Sequence, residues 1–464
     1  MTNPNTKYPT IFELSVPGRK GVQYPKPDVP KAELPKNLLR DELPLPELSE
    51  LDVIRHFTNL SQLNHSVDNG FYPLGSCTMK YNPKINEETA RLAGFSQIHP
   101  LQPTQTVQGA LGLMYETQQW LAEISGFDAV TLQPGAGAHG ELTGVLIIRA
   151  YHQAQGDDKR VKILVPDSAH GTNPASSAMS GLKMVEIPSD ERGNVNLELC
   201  QLVHAAGGLV YGDGANLNAL LGITRPGDSG IDVMHFNLHK TFATPHGGGG
   251  PGSGPVGVTA QLAEFLPDPV VAITEEETEE NPPVYDLITP KQSIGRVKSF
   301  HGHFGVIVKA FTYMLSLGKN GLREAAEYAV LNANYIQSLV KDAYNIPYER
   351  LCMHEFVAIG EWEDAPGIRA LDISKRLMDF GIHPPTNYFP LIVHEALMIE
   401  PTETESKATL DNFAKVLITI AEEAHTDPEK LKQAPHTTPF GRLDEVKAAK
   451  DLKLRTQLPE GYGR

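Results

Sequence analysis

The sequence HFNLHKTFATPHGGGGPGSGP, residues 235–255, is the stretch from which the rest of the chain is interpreted. Within it, Lys240 lies between His239 and His246, just before the glycine run 247–250. A glycine backbone has no Cβ atoms, so it reaches positive φ and allows a ligand to approach closely. A lysine amine is nucleophilic only when neutral, and burial or a cationic neighbour favours that state. A surface lysine before a flexible loop fits this stretch equally well, so the other motifs must decide.

The composition is that of a globular protein with a sizeable core. The chain has 464 residues, of which 40% are hydrophobic and 21% are charged. At roughly 150 residues per domain, this length predicts two or three domains. The net charge of −16 argues against a nucleic-acid partner or an anionic membrane surface. Without a signal-peptide pattern or an apolar run of membrane-spanning length, we expect a cytoplasmic protein.

Cysteine usage points to a reducing compartment. The three cysteines, Cys77, Cys200 and Cys352, are far apart and form no CxxC motif. We therefore expect no disulfide framework and no metal site built from them. Whether Cys77 and Cys352 ever pair stays open at this point.

Three segments are predicted along the chain. Residues 1–100 form an N-terminal arm and an active-site loop, residues 101–325 a large cofactor-binding domain, and residues 326–464 a small α+β domain. The first 50 residues are rich in proline, which favours extended structure. They fit either a disordered tail or an arm over another subunit, and the apolar residues recurring among them favour the arm: Tyr8, Ile11, Phe12, Leu14 and Val16.

The large segment alternates short apolar strands with helices. This order predicts an α/β fold with a mainly parallel sheet covered on both faces. Strands are predicted at 128–133, 161–166 (buried), 181–187, 207–214, 231–237 and 255–260, and helices at 104–125, 141–150 and 197–206. A long helix broken near Gly318 is predicted at 305–343, followed by strands at 355–360 and 387–393.

Polar and glycine residues follow several of these strands directly. They are the turn 135–139, His170, Asp213 and Lys240. Functional residues of parallel α/β sheets lie beyond the carboxyl ends of the strands, so these loops are expected to meet in one crevice.

This set of residues is what a pyridoxal phosphate site requires. Lys240 can form the Schiff base, and Asp213 can pair with the pyridine nitrogen. The turn 136–139 opens a helix whose N-terminus can bind the phosphate, and His170 can stack on the ring with Ala215 on its other face. Asp213 or His170 alone would more often be structural, so the prediction rests on their combination.

A second candidate region is the loop 72–82, in which Ser76, Cys77, Thr78 and Lys80 cluster among turn-forming residues. An ordinary surface loop and a ligand-facing loop are both compatible with this composition.

Four stretches resemble one family. LGSCTMKYNPK (74–84), DSAHGTNPASSAM (167–179), VYGDGANLNALLG (210–222) and HFNLHKTFATPHGGGGPGSGPVGV (235–258) are similar to the glycine decarboxylase P-protein of the glycine cleavage system. The resemblance covers nearly the whole chain and is to the lysine-bearing C-terminal half, which is subunit 2 in the two-subunit bacterial form.

The resemblance implies a fold of the aspartate-aminotransferase type and assigns the site. Lys240 would hold pyridoxal 5'-phosphate, Asp213 would pair with its ring nitrogen, and His170 and Ala215 would flank the ring. The remaining cofactor residues would be Ala136, Gly137, Ala138, Thr172 and Asn237. The turn reads GAGAHG where NSGAQG is expected of the family, so a hydroxyl donor is missing at Ala136 and backbone N–H groups would bind the phosphate.

The implied activity is that of glycine dehydrogenase (aminomethyl-transferring), an oxidoreductase of glycine catabolism. Glycine would lose CO2, and its aminomethyl group would pass to the lipoyl arm of the partner H-protein. Ser76, Cys77, Thr78 and Lys80 would line the channel for that arm. His239 and His246 would be catalytic, because a histidine with a near-neutral pKa can move the proton that thiol release requires.

The resemblance also implies a heterotetramer of two plus two subunits with subunit 1. Two rival interpretations remain. One is another enzyme of the same fold, such as a serine hydroxymethyltransferase-like enzyme or an amino-acid decarboxylase. The other is a non-catalytic partner subunit, against which the presence of both Lys240 and Asp213 argues.

Overall fold

The structure is a computed structural model that describes residues 8–41, 43–195, 198–246, 252–452 and 454. The glycine run 247–250 of the opening motif lies outside the described residues. Within the described ranges, no helix is both long enough and apolar enough to cross a membrane.

Eleven strands are assigned in the described residues, and seven of them, the first six and the ninth, lie within the predicted strands. They are β1 Ala129–Thr131, β2 Lys162–Pro166, β3 Lys183–Ile187, β4 Tyr211–Gly214, β5 Val233–Phe236, β6 Val256–Val258, β7 Val270–Glu275, β8 Val284–Ile288, β9 Phe356–Ile359, β10 Thr386–Asn387 and β11 Ala396–Ile399.

The α-helices of the described residues surround these strands. They are α1 Glu50–Ser61, α2 Lys84–Ala90, α3 Ala93–Ser96, α4 Gln108–Ser125, α5 Gly137–Ala154, α6 Thr172–Met179, α7 Glu198–Ala205, α8 Leu238–Thr241, α9 Phe304–Val340, α10 Ala370–Asp379, α11 Lys407–Thr426, α12 Pro428–Gln433 and α13 Glu445–Lys450. Short 3-10 turns add Lys36–Leu38, Thr104–Thr106, Pro226–Ser229 and Ala260–Phe265.

The central sheet has the strand order β1-β6-β5-β4. Strands β4 and β5 are parallel, whereas β6 runs antiparallel to both β5 and β1. Three strands therefore share one direction, and their carboxyl ends meet at one edge. The side chains of β5 and β6 are buried because helices cover the sheet, as the continuous apolar runs predict.

Strands β2 and β3 form a separate two-stranded parallel sheet. The prediction that 161–166 is a buried strand is wrong: Val165 is buried, but Leu164 is 41% exposed. The apolar composition was the same as that of β5, and only the packing of neighbouring elements distinguishes them.

Helix ends follow local sequence signals. Helix α4 ends where Gly126 adopts a φ of 78°, as predicted for a glycine C-cap. Helix α9 contains one non-helical residue, Gly318, with a φ of 59°, so the predicted break is confirmed. Helix α5 begins at Gly137, earlier than predicted, because the glycine and alanine turn runs directly into the helix.

The C-terminal part forms a second core around the sheet β10-β11-β9. The predicted strand 387–393 is largely wrong: only Thr386–Asn387 pairs, and Pro390 offers no N–H for a ladder. Strand β11 and the β7–β8 hairpin were not predicted. The core of this part is distinct from the core around the central sheet, and the domain boundaries at 100 and 325 stay a prediction.

Candidate active site

Lys240 lies in the short helix α8, directly after the buried strand β5. Asn237 caps this turn in extended conformation, and the backbone N–H of Lys240 donates to its carbonyl at 3.1 Å. The Lys240 side chain is half-buried. Its positive charge lowers the pKa values of His235, His239 and His246, so Lys240 stands among three imidazoles.

Asp213 lies on the neighbouring strand β4, in register with His235. The Nε2 atom of His235 is 3.7 Å from Oδ1 of Asp213, and the backbone N–H of Ala215 donates to the same oxygen at 3.0 Å. Asp213 remains one-third exposed toward the pocket. The parallel register therefore places the carboxylate and Lys240 at one sheet edge, as predicted from their positions after strands.

His235 is a site residue that sequence reasoning did not identify. It is buried, and the Tyr211 hydroxyl forms a hydrogen bond with its Nδ1. Burial raises the pKa of Tyr211 well above its ordinary value, so this hydroxyl keeps its proton. Burial also lowers the pKa of His235 to about 4, so the ring is neutral at pH 7, and its Nε2 faces Asp213 at a distance longer than a hydrogen bond. The hydrogen bond to the Asp213 carboxylate comes from the backbone N–H of Ala215.

The N-terminus of α5 forms a second side of the pocket. Ala136 is the N-cap and makes no side-chain capping bond, so the first N–H groups of the helix, from Gly137 and Ala138, have no carbonyl partner in that helix. A Cβ atom added at Gly137 would lie 2.6 Å from Oδ1 and 2.8 Å from Nδ2 of Asn237. The turn and the Asn237 amide are therefore in direct contact.

The Asn237 amide lies against the start of α5. Asn237 is 5% exposed, and within the described residues its Oδ1 has no hydrogen-bond partner, so this oxygen can accept from a donor that a ligand supplies. The first N–H groups of α5 are the groups that fit the phosphate of a pyridoxal phosphate cofactor.

His170 and Thr172 form a third side of the pocket. The Nδ1 of His170 and the hydroxyl of Thr172 are 2.9 Å apart, and that hydroxyl also donates to the buried carboxylate of Glu141 at 2.8 Å. The His170 ring is exposed on the pocket side and meets Phe389 edge-on at 6.0 Å. The imidazole of His170 is exposed and is held by the Thr172 hydroxyl and the Phe389 ring, so it can stack on the ring of a ligand.

His239 and His246 lie against one another, with ring centroids 4.9 Å apart at 89°. Burial, together with the charge of Lys240, lowers the pKa of His239 to about 3 and that of His246 to about 4. The expectation of a near-neutral histidine is therefore wrong for both, because packing disfavours their charged forms. Each is neutral at pH 7, and the Nε2 of His246 is buried with no partner in the described part of the chain.

These depressed pKa values predict a loss of stability in acid. An unfolded histidine titrates near 6.5, so below that pH the unfolded chain binds protons that the folded rings exclude. We expect each ring to reduce the free energy of unfolding by at most about 1.4 kcal/mol per pH unit between pH 6.5 and its folded pKa.

The measurement is urea unfolding from pH 7.5 to pH 4.5 of the wild type and of the H239Q and H246Q variants. The variants should show a shallower fall of stability with acidification. Equal slopes in all three proteins would contradict the burial of these rings. His436→Gln, at an exposed residue, is the matched control.

The loop 72–82 divides into an open and a closed part. Ser76 and Cys77 are half-buried, and Cys77 lies close enough to Lys240 for that charge to affect its pKa. Burial nevertheless raises the Cys77 pKa, so the side chain is a thiol. All three cysteines are free. Ser76 and Cys77 therefore remain candidates for a channel wall.

Thr78 and Lys80 do not fit the predicted channel. Thr78 is 1% exposed and donates both its N–H and its hydroxyl to Glu400. The ammonium of Lys80 is buried and donates to Glu403 at 2.6 Å, Asn218 at 2.9 Å and Tyr313 at 3.3 Å. With its three protons engaged, Lys80 fastens the loop to the C-terminal part instead of facing a substrate.

Glu400 belongs to the one group of potential metal ligands found in the described part of the chain, with His354 and Glu355. Hydrogen bonds from Thr78 and Asn216 already engage both of its carboxylate oxygens. Burial raises the pKa of Glu400. The arrangement therefore holds the loop in place, and we assign no metal to it.

We predict a large stability cost for breaking the Lys80–Glu403 pair. Its side chains are only 1% and 9% exposed, so Lys80→Met leaves a buried carboxylate without its cation. The free energy of unfolding should fall by about 3–5 kcal/mol. The double variant K80M/E403L, measured by the same denaturant titration, should lose less than the single variant. A K80M protein as stable as the wild type would contradict a buried pair.

Similarity to solved structures identifies the class of fold to which this chain belongs. A solved glycine decarboxylase (P-protein) of the glycine cleavage system, in inhibitor-bound form, superposes with a TM-score of 0.70 at 20% identity, covering 83% of this chain and 93% of that one. A glutamate decarboxylase of Lactobacillus brevis superposes with a TM-score of 0.61 at 13% identity, covering 86% and 96%. The chain has the aspartate-aminotransferase-type α/β fold of pyridoxal phosphate enzymes, as predicted.

Sequence comparison gives the family. The chain is 58% identical to a probable glycine dehydrogenase (decarboxylating) subunit 2 of Desulforamulus reducens, over 95% of this chain and 97% of the relative. Residues 325–437 match the family model of the glycine dehydrogenase C-terminal domain. The chain belongs to the glycine dehydrogenase (decarboxylating) subunit 2 family, which confirms the resemblance.

Proposed function

We propose that this chain binds pyridoxal 5'-phosphate at Lys240 and catalyses the decarboxylation of glycine as one subunit of a glycine cleavage system. The observations that support the proposal are that Asp213 on β4 lies beside His235 on β5, the strand that leads into Lys240, and that Gly137 at the start of α5 lies against Asn237, the cap of α8. The family membership supports the choice of glycine as the substrate.

Lys240 would bind the cofactor covalently, and the N–H groups of Ala136, Gly137 and Ala138, with the Nδ2 group of Asn237, would hold its phosphate. Asp213, which lies beside His235, would keep the pyridine nitrogen protonated. When bound, the cofactor supplies an electron sink for the bond broken at the glycine carboxylate. His170 and Ala215 would flank its ring, with Thr172 beside it.

We further propose that the aminomethyl group passes to the lipoyl arm of an H-protein. Cys77 lies close enough to Lys240 for that charge to act on it, and Ser76 beside it is half-buried, which supports these two residues as the wall along which the arm would pass. His239 and His246 are neutral next to Lys240, and their lowered pKa values argue against the predicted role in proton transfer.

A second subunit completes the proposed assembly, as the name of the relatives implies. The described part of the N-terminal arm exposes large apolar side chains to solvent: Val22 is 71%, Val29 66% and Tyr24 89% exposed. Such side chains are costly in water and suit a surface that another chain covers. We assign this arm to the contact with subunit 1 in a two-plus-two heterotetramer.

The test is exchange of labelled bicarbonate into the carboxyl group of glycine, with lipoylated H-protein, for this chain alone and with subunit 1. Exchange in the complex supports the proposal, and exchange by this chain alone would show that the arm is not needed to complete the site. Borohydride reduction and peptide mapping should locate the cofactor on Lys240. If Lys240 bears the reduced cofactor but neither sample shows exchange, glycine is not the substrate. The chain would then be another enzyme of the same fold.

A further inference from the structure

We propose that Glu141 is a positioning residue that sets the tautomer of His170 through the hydroxyl of Thr172. This inference deepens the proposed function, because His170 is assigned to the cofactor ring, but the hydrogen-bond argument itself uses only the chain's own side chains. Glu141 was not among the residues singled out from the sequence.

Glu141 is held deep in the wall of the pocket. It lies in the first turns of α5 and is 2% exposed. The Thr172 hydroxyl donates to its Oε2 at 2.8 Å. The Asn173 amide donates to the same oxygen at 2.5 Å in the orientation that satisfies both groups, and Ser176 adds a further hydrogen bond. Helix α6 therefore directs three donors at this carboxylate.

The Thr172 hydroxyl has a single proton, and the acceptor of that proton determines which nitrogen of His170 is protonated. A hydroxyl carries one proton, and here that proton is donated to Glu141. The Thr172 oxygen can then only accept from Nδ1 of His170, 2.9 Å away. Nδ1 must therefore carry a proton, and in a neutral ring the lone pair is on Nε2.

A second contact of Thr172 would stabilise the other tautomer of His170, in which Nδ1 is unprotonated. The backbone N–H of Thr172 lies 3.2 Å from the same Nδ1 and would donate to it if that nitrogen were unprotonated. This occurs when the hydroxyl of Thr172 turns toward Nδ1, which requires that Glu141 no longer accepts its proton. The carboxylate of Glu141 thus selects between two tautomers of His170.

The groups around Glu141 shift its pKa in both directions. Burial raises the pKa of Glu141, and Asp213 on β4 raises it further. The bonds from Ser176 and Thr172, and the nearby His170, lower it. Tyr211 on β4 also faces Glu141, and its phenol stays protonated. The anionic form of Glu141 keeps the lone pair of His170 on Nε2, and the hydrogen bond from Nδ1 to Thr172 holds the ring.

The experiment is multiple-bond 1H–15N NMR of the cofactor-free, full-length chain labelled at histidine, at pH 7.5. His170→Asn assigns the His170 signals by their disappearance. The wild type should show a protonated Nδ1 and an unprotonated Nε2. In Glu141→Met, a nearly isosteric change, the hydroxyl and the N–H of Thr172 both donate to Nδ1, so the tautomer should invert. Thr172→Ser should keep the wild-type tautomer, whereas Thr172→Val should not.

A wild-type spectrum with the proton on Nε2 would overturn the proposal without any variant. So would an unchanged tautomer in a Glu141→Met protein whose circular dichroism matches the wild type. In the holoenzyme complex, Glu141→Met should lower the exchange rate by at least about tenfold. The tautomer is measured without cofactor. A result that contradicts the role of Glu141 is therefore distinguishable from a result that contradicts the glycine assignment.

Discussion

Replacing Lys240 with alanine is expected to abolish covalent attachment of the cofactor and to lower the exchange of bicarbonate into glycine by at least about a thousandfold. Lys240 follows β5, whose His235 lies beside Asp213, and the charge of Lys240 acts on the same histidine. An alanine supplies no amine, so the cofactor can only be held by its phosphate and ring contacts. The measurement is the exchange rate of the complex with subunit 1 and H-protein, together with the visible absorbance of the purified protein.

Lys341→Ala is the matched control, because Lys341 is an exposed lysine after the end of α9. That variant should keep the colour and the exchange rate of the wild type. A Lys240→Ala protein that still forms a borohydride-stable adduct would contradict the assignment. In that case another lysine, such as Lys298 beside the turn at Gly135, would have to be the attachment site.

Replacing Asp213 with asparagine is expected to lower the exchange rate by about a hundredfold or more while leaving the fold intact. Asparagine has nearly the same shape, so the backbone bond from Ala215 can persist. It has no charge, so the pyridine nitrogen would lose the group that keeps it protonated, and the ring would withdraw electrons less strongly. Steady-state exchange at saturating cofactor separates this effect from weaker binding.

The control for Asp213 is Asp228→Asn, which removes a carboxylate from a surface ion pair with Arg225. Surface pairs contribute little, so stability and exchange should stay near wild type. His235→Phe should reduce the rate less than Asp213→Asn, because it removes only a neighbour of the carboxylate. A wild-type rate in Asp213→Asn would exclude the proposed pairing and, with it, the role of β4 in the site.

The positions at which helices end or break depend on the local sequence. Backbone preferences over a few residues determine where α4 stops at Gly126 and where α9 is interrupted at Gly318, and both were predicted. The order of strands and loops predicts one crevice containing Lys240 and Asp213, since side chains after parallel strands share an edge. The same order did not reveal that β6 runs antiparallel, because either direction suits a short apolar strand between glycines.

The assignments that failed concern burial. Lys80 and Thr78 have the composition of a polar loop, and no local signal distinguishes a channel wall from a buried anchor. Their state depends on Glu400 and Glu403, which are more than 300 residues away and reach the loop only in the folded chain. The neutral state of the histidines beside Lys240 has the same origin, because packing excludes the water that would stabilise their charge.

The sequence by itself therefore determined the α/β alternation and the family, and it predicts Lys240 and Asp213 as the principal residues of the site. These follow from short-range patterns and from motifs that are contiguous in the chain. Only the tertiary structure decided that His235 lies beside Asp213 and that Glu141 lies behind His170. These relations join residues from different strands and helices, so they depend on distances and on desolvation that arise only when the elements pack together.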